Sequence, residues 1–197
     1  FIMITSITFS NFKKFNKKIT IPVQKDISLF IGPNNSGKTT ALQALMLWNF
    51  LLEKWKTEGS NRKGRGLQIN RLEGIPIPVR DCTFIWNNTL TQKTINSSPN
   101  QKINIEILVQ GENRKGEKWN YGFRLSGSGK ETFNFSPIDF DLKKPEITIS
   151  YLTPLSGILT EEVELGREET IRSRIYEGLP GNVLRNILLK IFQDSQK

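Results

Sequence analysis

Gly32-Pro33-Asn34-Asn35-Ser36-Gly37-Lys38-Thr39 fits the spacing Gly-x-x-x-x-Gly-Lys-Ser/Thr at every position, and Thr40 follows it. On its amino-terminal side, Asp26-Ile27-Ser28-Leu29-Phe30-Ile31 reads as a buried strand running straight into the loop. On its carboxy-terminal side, Leu42, Leu45, Met46, Leu52 and Trp55 recur at helical spacing from Lys38 to about Trp55, with Gly59 as a stop. Glycines at both ends let the backbone curl so that its N–H groups converge on phosphate oxygens, and the helix start adds its positive dipole end. In that geometry Lys38 bridges the β and γ phosphates and acts as the catalytic cation, while the Thr39 hydroxyl ligates magnesium. Residues Gly32 to Thr40 therefore predict a nucleoside triphosphate site, with ATP and Mg2+ as the expected ligands.

Working outward, Ile2 to Phe9 and Ile19 to Val23 read as short strands joined by the polar turn Ser10 to Lys18. Gly59 to Arg80 is rich in Gly, Arg, Asn and Pro and reads as a long surface excursion. Strand-like runs follow at Cys82 to Trp86, Ile103 to Gln110, Lys118 to Leu125 and Thr132 to Phe135, and their short turns suggest an antiparallel meander. Ile147 to Leu152 is a last strand candidate. Beyond it the tail reads as helical, charged over Glu161 to Tyr176 and amphipathic over Val183 to Phe192. The expected organisation is an ATP-binding lobe over residues 1–157, with 59–80 as its loop, and a helical segment over 158–197.

Composition bounds the function classes. The 197 residues carry 28 Lys+Arg against 19 Asp+Glu, a net charge of +9 that favours polyanionic partners, DNA among them. There is no histidine, so histidine acid/base chemistry and histidine metal sites are excluded within this chain. A single cysteine, Cys82, precludes an internal disulfide and suits a reducing cytoplasm. The longest apolar run, Ala41 to Leu52, is broken by Gln43 and Asn49 and falls short of the ~20 residues that span a bilayer, so no membrane partner is expected.

Ile4 to Phe15, followed by Gly-Pro-Asn-Asn-Ser-Gly-Lys-Thr-Thr, resembles the amino-terminal lobe of the ABC-type ATPases of the RecF, SMC and OLD-nuclease group. There, a strand ending in Asn-Phe-basic-x-Phe precedes a P-loop of the form Gly-x-Asn-x-Ser-Gly-Lys. The resemblance implies an α/β P-loop NTPase lobe with a mixed sheet, an antiparallel meander and a helical carboxy-terminal tail, serving DNA repair, chromosome organisation or phage defence. It also implies that Lys13 and Lys14 lie near the nucleotide phosphates. The pattern then departs from the family. Thr153-Pro154-Leu155-Ser156 stands where a Q-loop glutamine is expected; Thr153 or Ser156 is the candidate to support the metal or the attacking water instead, against the plainer reading of loop packing. No apolar run after residue 40 ends in Asp-Glu, and Asp139 and Asp141 lack the preceding buried strand. Leu125 to Lys130 reads as a hairpin turn rather than a signature motif, because Pro137 and a strand-like run follow it. The expectation is an amino-terminal part whose hydrolysis requires a carboxy-terminal lobe and dimerisation.

Two other classes remain open at this level. A complete small P-loop kinase would need a lid arginine cluster, for which Arg167, Arg172, Arg174 and Arg185 are the candidates; a GTPase would need Asn-Lys-x-Asp, which is absent. A DNA-binding module using ATP as a structural switch would track phosphates with Arg62, Lys63, Arg65, Arg71 and Arg80.

Overall fold

Alternation of apolar and polar side chains builds the sheet at the centre of this protein. The computed structural model describes residues 3–59, 66–93, 101–113, 115–138, 147, 149, 162–166, 170–171, 173–174 and 180–194. The strands are β1 (Met3–Ser10), β2 (Ile19–Pro22), β3 (Leu67–Asn70), the short pair β4 (Gln92–Lys93) and β5 (Gln101–Lys102), β6 (Ile105–Glu112), β7 (Lys118–Gly127) and β8 (Thr132–Ile138). The helices are α1 (Lys38–Lys54), continued by one wider turn over Trp55–Gly59, and α2 (Leu184–Asp194). Six strands form one sheet in the order β2-β1-β6-β7-β8-β3, every neighbour antiparallel.

Register aligns the inward residues into rows across the sheet. Ile105, Leu125, Phe135 and Leu67 stand opposite one another in turn, as do Phe9, Ile107 and Phe123, and all seven are buried. The alternate residues form a polar face: Ser6 bonds Gln110, Thr8 bonds Thr20 and Arg124 pairs with Glu106. Helix α1 lies across the apolar face against β6 and β7. Trp48 donates from Nε1 to the Tyr121 carbonyl at 2.8 Å, and the Trp55 ring meets Phe135 edge-on at 6.1 Å. Each such large apolar side chain withdrawn from water contributes roughly 1.5–3 kcal/mol.

The meander β6-β7-β8 and the hairpin at Leu125 to Lys130 form as the sequence predicts. Four expectations are corrected. The expected strand Asp26–Ile31 has no regular secondary structure and belongs to no sheet, and Ile27, Leu29 and Ile31 are 82%, 78% and 84% exposed. A strand needs a neighbour to receive its backbone hydrogen bonds, and none of the described residues supplies one. The mixed sheet is consequently antiparallel throughout its described pairs. Cys82–Ile85 is a 3-10 turn, because the Asp81 carboxylate accepts the Thr83 N–H at 2.8 Å and caps it. The excursion 59–80 contains β3, which extends the sheet edge beside β8. The run Ile147–Leu152 lies outside the described residues apart from Ile147 and Ile149, neither of them in a strand.

The chain forms two compact units, residues 1–73 with 79–149, and residues 74–78 with 150–197. In the second, the expected helix over Glu161 to Tyr176 holds in part: residues 170–171 and 173–174 are helical, whereas 162–166 are not. Their role is to close α2: Glu162 accepts the backbone N–H groups of Arg185 and Asn186 at 2.9 and 2.8 Å, and Asn186 returns a bond to the Val163 carbonyl. Burial pushes the Glu162 carboxyl up, but these hydrogen bonds and the Arg185 charge outweigh it and hold the group below its ordinary value. Among the described residues, no helix is long and apolar enough to cross a membrane.

Phe135→Ala removes a ring that touches both Phe123 and Trp55, and is expected to cost about 3–5 kcal/mol in denaturant unfolding. Because the Glu162 carboxyl is depressed in the fold, its stabilising contribution is present above the ordinary carboxylate range and disappears as pH falls through the folded value. The melting-temperature difference between wild type and Glu162→Gln should therefore be largest near neutrality and vanish in acid.

Candidate functional site

The glycine loop sits at the point where α1 begins. Gly37 caps the helix with φ +107°, a conformation that only glycine adopts without strain, and no side chain caps the exposed N–H groups. Ala41 N–H to the Gly37 carbonyl, at 2.9 Å, closes the first helical turn. That turn contains no acidic residue, so the helix's positive end is uncompensated from within. Asn35 takes the left-handed conformation at φ 62°, which asparagine tolerates well. Gly32 to Ser36 and Thr39 are exposed, while Gly37, Lys38 and Thr40 are half-buried. The Lys38 ammonium lies within the curl, donating to the Gly32 and Pro33 carbonyls at 2.7 and 2.9 Å.

A second element closes on this loop from β1. Past Ser10 the chain turns through Asn11 and Lys13, both left-handed at φ 55° and 48°. Phe12 is fully buried and meets Phe9 edge-on, and Phe15 lies 5.4 Å from Phe9 by ring centroids. The outer edge of Phe15 rests on Gly37, where a Cβ would stand 2.4 Å from Cζ. The two phenylalanines thus seat the turn in the core and hold it against the glycine loop. The lysines beside them reach the loop and the helix. Lys13 Nζ donates to Gln43 Oε1 of α1 at 2.7 Å, and Lys14 Nζ to the Asn35 carbonyl. Burial lowers the pKa of Lys13.

Residues Gly32 to Thr40, Lys13 and Lys14, far apart in sequence, therefore form one cluster. Thr153, Ser156, Asp139 and Asp141 lie outside the described residues. Sequence reasoning missed Gln43, whose bond to Lys13 spans 30 positions, and Asn87, whose side chain donates to the Lys13 carbonyl at 2.6 Å. Their only signal was polarity, Gln43 within an apolar helix and Asn87 after Trp86.

The three ammonium groups share a property that bears on ligand fit. Lys13, Lys14 and Lys38 bond only uncharged oxygens, and none pairs with a carboxylate among the described residues. Three cations beside an uncapped helix start suit a polyphosphate. Metal ligation by the chain itself has one candidate, the exposed Thr39 hydroxyl; among the described residues no group of three or more acidic or cysteine side chains is placed to hold an ion. A divalent ion fits here only if phosphate oxygens supply most of its shell.

A glycine loop opening onto an uncapped helix, with its lysine in the first turn and a basic turn against it, defines a P-loop nucleotide-binding domain. The family model of the AAA ATPase domain matches residues 3–154, and the chain belongs to that family. Membership assigns it ATP binding of the ATPase type. No curated protein matches the chain.

Gly37→Ala forces a Cβ into the Phe15 ring and strains a left-handed position. It should weaken ATP binding about tenfold or more, equivalent to ~1.4 kcal/mol, in a calorimetric titration with the far-ultraviolet circular dichroism unchanged.

Proposed function

We propose that this chain is the ATP- and Mg2+-binding amino-terminal lobe of a RecF/SMC/OLD-like ATPase acting in DNA repair or phage defence. The observation that carries the reading is the set of three ammonium groups, Lys14 and Lys38 on the glycine loop and Lys13 on Gln43 of the helix that follows it, with no carboxylate paired to them among the described residues. In this reading the backbone of Gly32 to Gly37 wraps the phosphates, and Lys38 leaves its carbonyl partners to bridge the β and γ oxygens. Lys13 and Lys14 neutralise further charge from the β1 side. The Thr39 and Thr40 hydroxyls stand in the first turn of α1, Thr39 toward the magnesium ion that accompanies the phosphates and orients them.

Binding and turnover separate in this scheme. Phosphoryl transfer needs positioned charges and a group that orients the attacking water. The cluster supplies cations, while the acidic base comes from a carboxy-terminal lobe and a second set of contacts from the other subunit of a homodimer. The exposed run Ile27, Leu29, Ile31 supports the first of these partners. Three exposed apolar side chains at alternate positions, directly before the loop, suit a strand awaiting a neighbour.

ATP titration and hydrolysis with magnesium, across protein concentrations, test the proposal. Lys38→Ala should abolish measurable binding, and Lys13→Ala should weaken it roughly 10- to 100-fold, in line with ~1.5–3 kcal/mol for a charged hydrogen bond. Wild type should bind ATP with little turnover; brisk hydrolysis by these 197 residues alone would sink the two-lobe reading.

A further inference from the structure

The turn that carries Lys13 and Lys14 is held in a conformation it would not keep by itself. Asn11 and Lys13 are both left-handed, at φ 55° and 48°, and only Phe12 separates them. Asparagine visits this region readily, but lysine has no side-chain group to favour it. Something outside the turn must fix it, and the segment after Trp86 does so. The Asn87 backbone N–H donates to the Asn11 carbonyl at 2.9 Å, and Asn87 Nδ2 donates to the Lys13 carbonyl at 2.6 Å. The Lys13 N–H in turn donates to the Ile85 carbonyl at 2.9 Å. Two of these three bonds come from one residue, and they grip the carbonyls on either side of Phe12.

The clamp is itself anchored. Trp86 is buried, donates from Nε1 to the Ile103 carbonyl at 2.7 Å, and meets Phe133 edge-on at 6.4 Å. Just beyond Asn87, Asn88 and Thr89 are left-handed at φ 51° and 58°, so the segment carries its own strain to present Asn87 to the turn. We propose that Asn87 is a positioning residue of the phosphate site: by holding the Lys13 carbonyl it fixes the backbone from which the Lys13 ammonium reaches Gln43 and the Lys14 ammonium reaches the Asn35 carbonyl. The inference rests on the reading that Lys13 and Lys14 meet the nucleotide phosphates, and it adds a residue that touches neither nucleotide nor loop. Without the Asn87 side chain the Lys13 peptide turns over, and the ammonium is no longer delivered beside α1.

Calorimetric titration of ATP with magnesium into the 197-residue protein tests this, using Asn87→Ala, Asn87→Ser, Lys13→Ala, Lys14→Ala and the double variant Asn87→Ala with Lys13→Ala. Asn87→Ala should weaken ATP binding about tenfold. Asn87→Ser, which keeps a donor, should recover part of the loss. In the double variant the loss should fall short of the sum of the two single losses, because Asn87 acts in part through that lysine; a merely structural role would instead add its loss in full. If Lys13→Ala weakens binding and Asn87→Ala does not, or if the two losses add, the inference is wrong and the basic-turn reading stands. If Lys13→Ala and Lys14→Ala both bind as wild type, the basic-turn reading itself falls and takes the inference with it. Should Asn87→Ala fail to fold, Asn87→Ser alone and in the Lys13→Ala background is read by the same criteria.

Discussion

Helix α1 is asked to fill the core and to carry the phosphate loop, and its packing over the sheet serves both. Trp48 fixes its height through the Tyr121 carbonyl, and Trp55 fixes its far end against Phe135. Because the helix cannot slide, its first turn stays beside Phe15, and the glycine that caps it is pressed to where no other side chain fits. The loop geometry is therefore inherited from the hydrophobic register of β6, β7 and β8. A change far inside the apolar face would be felt at the glycine loop through the packing of α1.

Electrostatics at the site follows from what surrounds the lysines. Desolvation disfavours a charged Lys13, and the protein answers with a neutral amide from Gln43 instead of a carboxylate. Elsewhere it does use ion pairs: Lys54 contacts both Glu58 and Glu73, and Arg71 contacts Glu131. Those pairs lie at partly exposed positions and contribute little each. With no such partners among the described residues, the cluster around the loop keeps its positive potential available to an incoming anion, at some cost in stability.

The basic turn shows how a short motif is made of unlike parts. Phe12 and Phe15 supply the anchoring, Lys13 and Lys14 the charge, and Asn11 the left-handed entry, with its Nδ2 bonded to the Asn104 carbonyl at 2.8 Å. The segment 82–90 completes it from outside. That segment follows an Asp81 cap, passes the buried Cys82, whose thiol burial pushes up to about 11, and carries the clamp residue Asn87. A thiol so placed is inert, and its role is packing.

The glycine loop, the helix after it and the antiparallel meander were legible in the sequence because each depends on local chemistry. Glycine freedom, apolar spacing of 3.6 or 2 and short turns are written in neighbouring residues. Lys13 and Lys14 were legible only through a family resemblance. The strand status of Asp26 to Ile31 was not legible, since alternation makes a strand possible and only a hydrogen-bonded neighbour makes it one. Cys82 to Trp86 misled for a related reason: its apolar content suited a strand, but the Asp81 carboxylate offered the backbone a competing partner. Asn87 lay beyond reach altogether, because its bond crosses 74 positions. The sequence by itself determined that this chain has a phosphate loop and the character of an ATPase domain. Only the tertiary structure decided which distant side chains hold that loop's neighbours in place, because such contacts are set by how α1 and the sheet pack and leave no periodic trace along the chain.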